Sequence, residues 1–356
     1  MTPHATLARL REYMVGPSRF MTLLSCFELG LIDTLRRRPA LSAAELAAAA
    51  GARPAAVEQL LFLLVKEGFV TREETTGRYR LDALADVAEK DLTQARADLD
   101  MIKAVTLRQL YYLTPSVRAG RVVALKELYG FEGNLYDALG VYPELREPWA
   151  RLMDTVTAHV DPWFFANIDI PAGSRVLDLA GNTGLGALHT YRLKNSPGLT
   201  VTTFDLPEKE QECLANFRAH HVEDHCSFIG GDVFEGLPSG FDVILVKHFL
   251  PMFDKDDVLR ILQAAHGALN DGGQIHVLVP LLPEDLTDPD NYTADFYPSF
   301  FVGCTMGQGG PQKLSTWQSW IEECGFTLTK ALTDDPANLP PHALTVEALL
   351  SATKTA

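Results

Sequence analysis

Positive charge is scarce in this chain: 31 lysines and arginines face 46 aspartates and glutamates, a formal net charge of −15 over 356 residues. Nucleic acid and anionic membranes are held by clustered basic side chains, so this balance sets both aside and leaves small molecules and other protein chains as partners. Long apolar runs are also missing. None reaches the roughly 18 residues that a membrane span needs, and no apolar segment follows the charges of MTPHATLARLREYM as it would in a signal peptide. A soluble, cytoplasmic protein is expected. The five cysteines, Cys26, Cys213, Cys226, Cys304 and Cys324, form no C-x-x-C pair. An odd, scattered set fits a reducing compartment better than a disulfide framework and suits small buried hydrophobes.

What the chain does have is a change of rhythm near residue 174. From there, apolar runs at Arg175–Leu179, Thr200–Phe204, Cys226–Ile229, Asp242–Val246, Gln274–Pro280 and Phe326–Ala331 alternate with helical stretches, and Ala343–Ala352 reads as a last strand. Continuous apolar strands with helices between them predict a parallel, doubly wound α/β sheet covered on both faces.

The N-terminal part reads differently. Residues 5–38 form one helical pattern, with Leu10, Met14, Met21, Leu24, Phe27, Leu31 and Leu35 at three- and four-residue steps. Ser42 with Glu45 predicts a capped helix that stops at Gly51, and a second helix starts at Pro54. A hairpin around Gly77 closes the module. This is a winged-helix order, but the helix placed to read bases is LLFLLV-rich, so a dimer-forming module is expected in preference to a DNA-binding one. Residues 96–168 are helical and end in Trp149, Trp163, Phe164 and Phe165, which either fill a core or wall a flat pocket. The predicted domains are 1–95 and 96–356.

In a doubly wound sheet the ligand lies beyond the carboxyl ends of the strands. The first strand ends at Asp178 and breaks into Ala180-Gly181-Asn182-Thr183-Gly184, a turn that lets a ligand approach the backbone. The second ends at Asp205-Leu206, where a carboxylate can accept from both hydroxyls of a ribose, and the third at Asp232-Val233-Phe234, where a carboxylate can take an adenine amine. The fourth ends at Lys247-His248. Gly181, Gly184 and Gly186 are spaced G-x-x-G-x-G, not as the G-x-G-x-x-G dinucleotide fingerprint.

The strings DLAGNTG, FDLPE, GGDVFEGLP, DVILVKHFLPMFDKDDVLRIL, GALNDGGQIHVLVPLLPE and WIEECGF resemble, in this order, S-adenosylmethionine-dependent small-molecule O-methyltransferases. The plant caffeate and flavonoid enzymes and their bacterial natural-product relatives are most similar. The resemblance extends through LYGFEGNLYDALGVYPEL to the N-terminal module. It implies a class I methyltransferase Rossmann-like fold, S-adenosylmethionine as cofactor, and a homodimer built on a winged-helix-like N-terminal domain. By position it implies that Asp205 binds the ribose and that Asp232 and Val233 lie at the adenine. It also puts Lys247 near the methionine part, with the Gly181 turn passing beneath. The acceptor pocket would be roofed by helices around 100–165 and 291–308. Met153, His159, Trp163, Tyr297, Phe300, Phe301 and Met306 are its expected lining, suited to an aromatic or amino-acid-derived acceptor.

The chain departs from this family at the acid–base residues. Pro251 stands where the family has its histidine base, and Val279 and Pro311 stand where acids orient that base. Three readings follow: methyl transfer driven by proximity and orientation alone; His248 as a substitute base, with His159 in reserve; or a cofactor-binding enzyme that moves no methyl, such as a decarboxylase, hydroxylase or cyclisation catalyst. His220, His221 and His225 in AHHVEDHC invite a metal reading but lie on a connection away from the strand ends, so no metal site is expected.

Overall fold

The structure, a computed structural model, describes residues 2–287, 292–334 and 344–355. It divides into two units, Met1–Asp100 and Met101–Ala356.

In the first unit the expected single helix is two, α1 (Pro3–Glu28) and α2 (Leu31–Arg37), because Gly30 between them adopts φ 65°. The apolar stripe runs through the break, which is why spacing alone hides it. α3 (Ala43–Ala50) carries the Ser42–Glu45 capping box: Ser42 Oγ accepts from the Glu45 amide at 3.2 Å and Glu45 Oε2 accepts from the Ser42 amide at 2.8 Å. α4 (Pro54–Lys66) buries Val57, Leu61 and Leu64 on one face, and β1 (Val70–Arg72) pairs with β2 (Tyr79–Leu81) as the hairpin. Leu7, Tyr13, Met14 and Phe62 remain more than half exposed, so α1 and α4 both turn apolar side chains outward.

The second unit is built on a seven-stranded sheet in the order β5-β4-β3-β6-β7-β9-β8. These strands are β3 (Arg175–Leu179), β4 (Thr200–Asp205), β5 (Cys226–Gly230), β6 (Phe241–Lys247), β7 (Leu269–Pro280), β8 (Phe326–Thr333) and β9 (Glu347–Lys354). The sheet is mixed, not wholly parallel: β9 inserts antiparallel between β7 and β8. The expected last strand thus exists from Glu347, while its expected first residue, Ala343, lies outside the described residues, as does Asn291 at the start of the expected roof segment.

Alternation divides the sheet between two cores. Leu177, Leu179, Ile244, Val246, Ile275 and Val277 face one side, where the helices Lys255–Ala268 and Leu314–Glu323 pack; Val176, Val243 and Leu245 face Phe164, Phe165, Leu188 and Phe217 on the other. A third core lies among the helical segments and joins Met153, Trp149, Tyr297, Phe300 and Phe301. All five cysteines are free and buried. No single described helix is long and apolar enough to cross a membrane.

Candidate active site

The interior strand β3 places Asp178 one residue before its carboxyl end, with only 1% of its surface exposed. The chain then turns through positive φ at Ala180 (57°), Asn182 (50°) and Gly184 (78°) before the helix Leu185–Lys194. Two of those residues carry a Cβ and are held in place by hydrogen bonds. The Ala180 amide donates to the Phe204 carbonyl at 2.8 Å, and the Asn182 amide donates to Asp205 Oδ2 at 2.8 Å. Asp205 accepts a second backbone bond at Oδ1 from Leu206, also 2.8 Å. The end of β4 therefore clamps the loop. Burial pushes the Asp205 carboxyl above its ordinary range, and the two amides work against that rise.

Glycine is required where the loop passes Asp178. A Cβ on Gly181 would stand 2.3 Å from Asp178 Oδ2, and one on Gly186 would stand 2.7 Å from the same oxygen and 2.9 Å from Lys247 Nζ. Asp178 Oδ2 is buried without a hydrogen-bond partner among the described residues. An unpaired buried carboxylate oxygen is costly and calls for a donor or a cation. Burial pushes the Asp178 carboxyl up to about 6, with Asp161 and Asp205 adding to the rise and Lys247 opposing it.

Asp232 is exposed, and its Oδ1 accepts from the Phe234 amide at 2.9 Å, which shapes the turn after β5 without capping a helix. Val233 is buried and Phe234 packs partly against the same core, with Arg260 stacked 4.6 Å from its ring centroid. Leu206 is half-buried beside Asp205.

At the end of β6 the side chains diverge. Lys247 Nζ donates to Asp161 Oδ1 at 2.8 Å and lies 5.4 Å from the Phe165 ring centroid. His248 takes φ 56°, donates its backbone amide to Leu278, and brings Nε2 to 3.1 Å from Glu347 Oε2. That contact lies off the line of a hydrogen bond, so the two atoms form an ion-pair contact with no other partner among the described residues. Glu347 opposes Pro280 in register, which sets the His248–Glu347 pair at the carboxyl end of β7. Burial lowers the basicity of His248, but the Glu347 charge and contact outweigh it and the net direction is upward. Burial and Glu347 push Asp334 up to about 6.

Pro251 is buried on the short turn Leu250–Met252, where its carbonyl accepts from Gly310 at 2.7 Å. Met252 follows and touches both the sheet core and the helical core. The helical core gathers the expected acceptor residues Met153, Tyr297, Phe300 and Phe301, with Trp149 stacked on Phe300 at 6.2 Å. Met306 instead packs against the sheet core beside Met252. Trp163 joins the opposite face of the sheet, because it sits on the side of the Pro143–Asn167 helix turned to Phe164 and Phe165, and His159 on that helix is exposed. The four aromatics expected as a group therefore do not form one wall. Asp161, His189 and Glu347 are absent from the sequence reading. Asp161 lies 86 residues from Lys247, and no local spacing links them. His220, His221 and His225 are exposed, and no metal-binding group of side chains occurs among the described residues.

A doubly wound sheet with one antiparallel insertion, an acid and a tight small-residue turn after its first strand, and acids after the next two define a class I S-adenosylmethionine-dependent methyltransferase. The family model of the O-methyltransferase domain matches residues 110–327 and that of the O-methyltransferase dimerisation domain matches residues 12–90, so the chain belongs to the O-methyltransferase family. It is 28% identical over 336 residues to a 3-amino-4-hydroxybenzoate 4-O-methyltransferase of Streptomyces cremeus, covering 93% of this chain and 88% of the relative. It is 21% identical over 337 residues to an L-tyrosine C(3)-methyltransferase of Streptomyces lavendulae, covering 94% and 90%. In fold it matches the mitomycin 7-O-methyltransferase MmcR with TM-score 0.80 at 24% identity, covering 98% of each chain. Human N-acetylserotonin methyltransferase matches with TM-score 0.77 at 21% identity, covering 100% of this chain and 99% of the other.

Proposed function

We propose that this methyltransferase acts on a small aromatic or amino-acid-derived acceptor of natural-product biosynthesis, in the cytoplasm, as a homodimer. The orphaned Asp178 Oδ2 beneath a glycine turn with no room for a Cβ is the observation that carries the cofactor site. It suits the cationic amino-acid end of S-adenosylmethionine. Asp178, Gly181 and Asn182 would hold that end, Asp205 and Leu206 the ribose, and Asp232, Val233 and Phe234 the adenine. Lys247 supports the site from beneath. When bound, the cofactor supplies an electrophilic methyl group on a sulfonium. Met153, Tyr297, Phe300, Phe301 and Met306 bind and orient the acceptor, with His159 on the flanking helix at its margin. Orientation of this kind contributes about 7–11 kcal/mol in favourable cases. His248, held by Glu347, takes the proton of an acceptor hydroxyl in place of the histidine that Pro251 replaces.

The acceptor class is supported by the relatives, which include both O- and C-methyltransferases with aromatic substrates in their names. Turnover against a panel of phenols, hydroxybenzoates and aromatic amino acids tests it. Methylated product and S-adenosylhomocysteine are expected in equal amounts with at least one aromatic member; turnover confined to non-aromatic acceptors would contradict it.

Two further outcomes are expected. A ligand bearing an α-ammonium favours ionised Asp178, whereas the free fold favours the protonated form, because its folded value of about 6 lies above the ordinary 3.8. Stability from the protonated carboxyl is therefore present at low pH and is lost as pH rises towards 6. Affinity for S-adenosylhomocysteine runs the other way, weakening about tenfold per pH unit below about 6 in calorimetry. The homodimer is supported by the match of the dimerisation domain and by the apolar face of α1, where Tyr13 and Met14 are 72% and 76% exposed. Tyr13→Glu with Met14→Glu should convert a dimer to a monomer in light scattering without unfolding the chain.

A further inference from the structure

Lys247 has two buried carboxylates within its reach and bonds only one of them. Its ammonium and Asp178 Oδ2 flank the same point, the place where a Gly186 Cβ would be, yet its hydrogen bond goes to Asp161 Oδ1 at 2.8 Å and Asp178 Oδ2 has no partner. Asp161 is 1% exposed, and its second oxygen is taken by His189 Nδ1 at 2.8 Å. The carboxylate is thus held from both sides, and Phe164 and Phe165 close over the lysine with ring centroids 5.8 and 5.4 Å from Nζ.

We propose that Asp161, oriented by His189, is a positioning residue that draws Lys247 away from Asp178 and so keeps the Asp178 carboxylate free for a cationic ligand group. The proposal rests on the cofactor reading above and names the device that keeps its key acid unpaired. Without Asp161 the ammonium has one buried carboxylate left to pair with, and that is Asp178. An ion pair formed there would satisfy Oδ2 internally, and an incoming ammonium would have to displace Lys247. The charged or titratable groups acting on Asp178 come from every neighbouring element: Lys247 on β6, Asp161 on the Pro143–Asn167 helix with His189 behind it, Asp205 on β4, and the buried thiols Cys213 and Cys226.

The test reads Asp178 directly, by carboxyl NMR titration of the ligand-free chain labelled at aspartate. Asp178 should titrate near 6 in the native chain, at least about one unit lower in Asp161→Asn, and not lower when Lys247→Met is added. Asp161→Glu, which restores the charge, should return it towards the native value. In parallel, Asp161→Asn should weaken S-adenosylhomocysteine binding about tenfold or more in calorimetry while leaving the melting temperature unchanged or higher. Loss of the Asp161 repulsion alone would also lower the Asp178 titration but would leave S-adenosylhomocysteine binding unchanged or tighter, and a residue that merely supports the fold would lower the melting temperature. Should the asparagine variant not fold, Asp161→Ser is read in the same way. An Asp178 titration indifferent to loss of the Asp161 charge overturns the proposal even if the native chain binds S-adenosylhomocysteine. A native chain that fails to bind that ligand overturns the cofactor reading and leaves the titration result standing.

Discussion

Replacing Gly181 by alanine is expected to lower affinity for S-adenosylhomocysteine, and turnover with it, by about a hundredfold to a thousandfold, the range reached when a ligand-bearing backbone is displaced. The added Cβ would lie 2.3 Å from Asp178 Oδ2 and 2.8 Å from Thr203 Cγ2. Neither neighbour can retreat: Asp178 and Thr203 face each other in register on β3 and β4, and both are buried. The loop must therefore move, and overpacking of this kind also costs about 1–3 kcal/mol of stability. Ala180→Gly, one residue away, is the contrasting case. Ala180 already occupies φ 57°, so glycine relieves left-handed strain of about 1 kcal/mol and should leave binding intact. Calorimetry with S-adenosylhomocysteine and a melting curve on both variants separate the effects. Native-like binding by the Gly181 variant would show that the turn does not carry the cofactor.

The second large effect is expected at His248. His248→Gln should reduce turnover of a phenolic acceptor by about 10²- to 10⁴-fold, the range for loss of a general base, with cofactor affinity little changed. Glu347→Gln gives the more diagnostic result because it acts through the imidazole. The Glu347 charge and contact raise His248 against the lowering effect of burial, so the acid limb of the pH–rate profile should lie above the ordinary histidine value of about 6.5. Activity falls as pH drops through that limb, because the protonated imidazole cannot accept the acceptor's proton. Without Glu347 only burial remains as the leading influence, and the limb should move to lower pH. A limb unmoved by Glu347→Gln, or a His248 variant with native turnover, would leave orientation alone as the source of rate.

Much of the proposed cofactor half of the candidate site was legible in the sequence, since the residues put forward for it stand near where the apolar runs stop. Asp178 is the next-to-last residue of β3, Asp205 closes β4, and Asp232 follows β5 by two residues. Strand ends are local features, and local features are what a single sequence displays. The rest depends on contacts between distant segments. Nothing near Lys247 announces that its partner is Asp161, 86 residues earlier. Glu347 meets His248 only because β9 enters the sheet antiparallel beside β7, and a reversed strand has the same apolar alternation as a parallel one. Gly30 breaks the first helix while the stripe from Phe27 to Leu31 continues across it. Trp163 illustrates the limit of composition: its neighbours Phe164 and Phe165 are buried against the sheet, and the rotation of the helix carries Trp163 to that core and not to the acceptor-side cluster.

An intact cofactor cradle at Asp178–Gly186 is proposed to work with a relocated base, the His248–Glu347 pair. The most direct measurement is a crystal structure of the chain with S-adenosylhomocysteine and a turned-over phenolic acceptor. The amino-acid end of the ligand is expected at Asp178 Oδ2 and the acceptor oxygen within hydrogen-bond reach of His248. A ligand seated away from Asp178, or an acceptor oxygen facing no side chain of the His248–Glu347 pair, would contradict it.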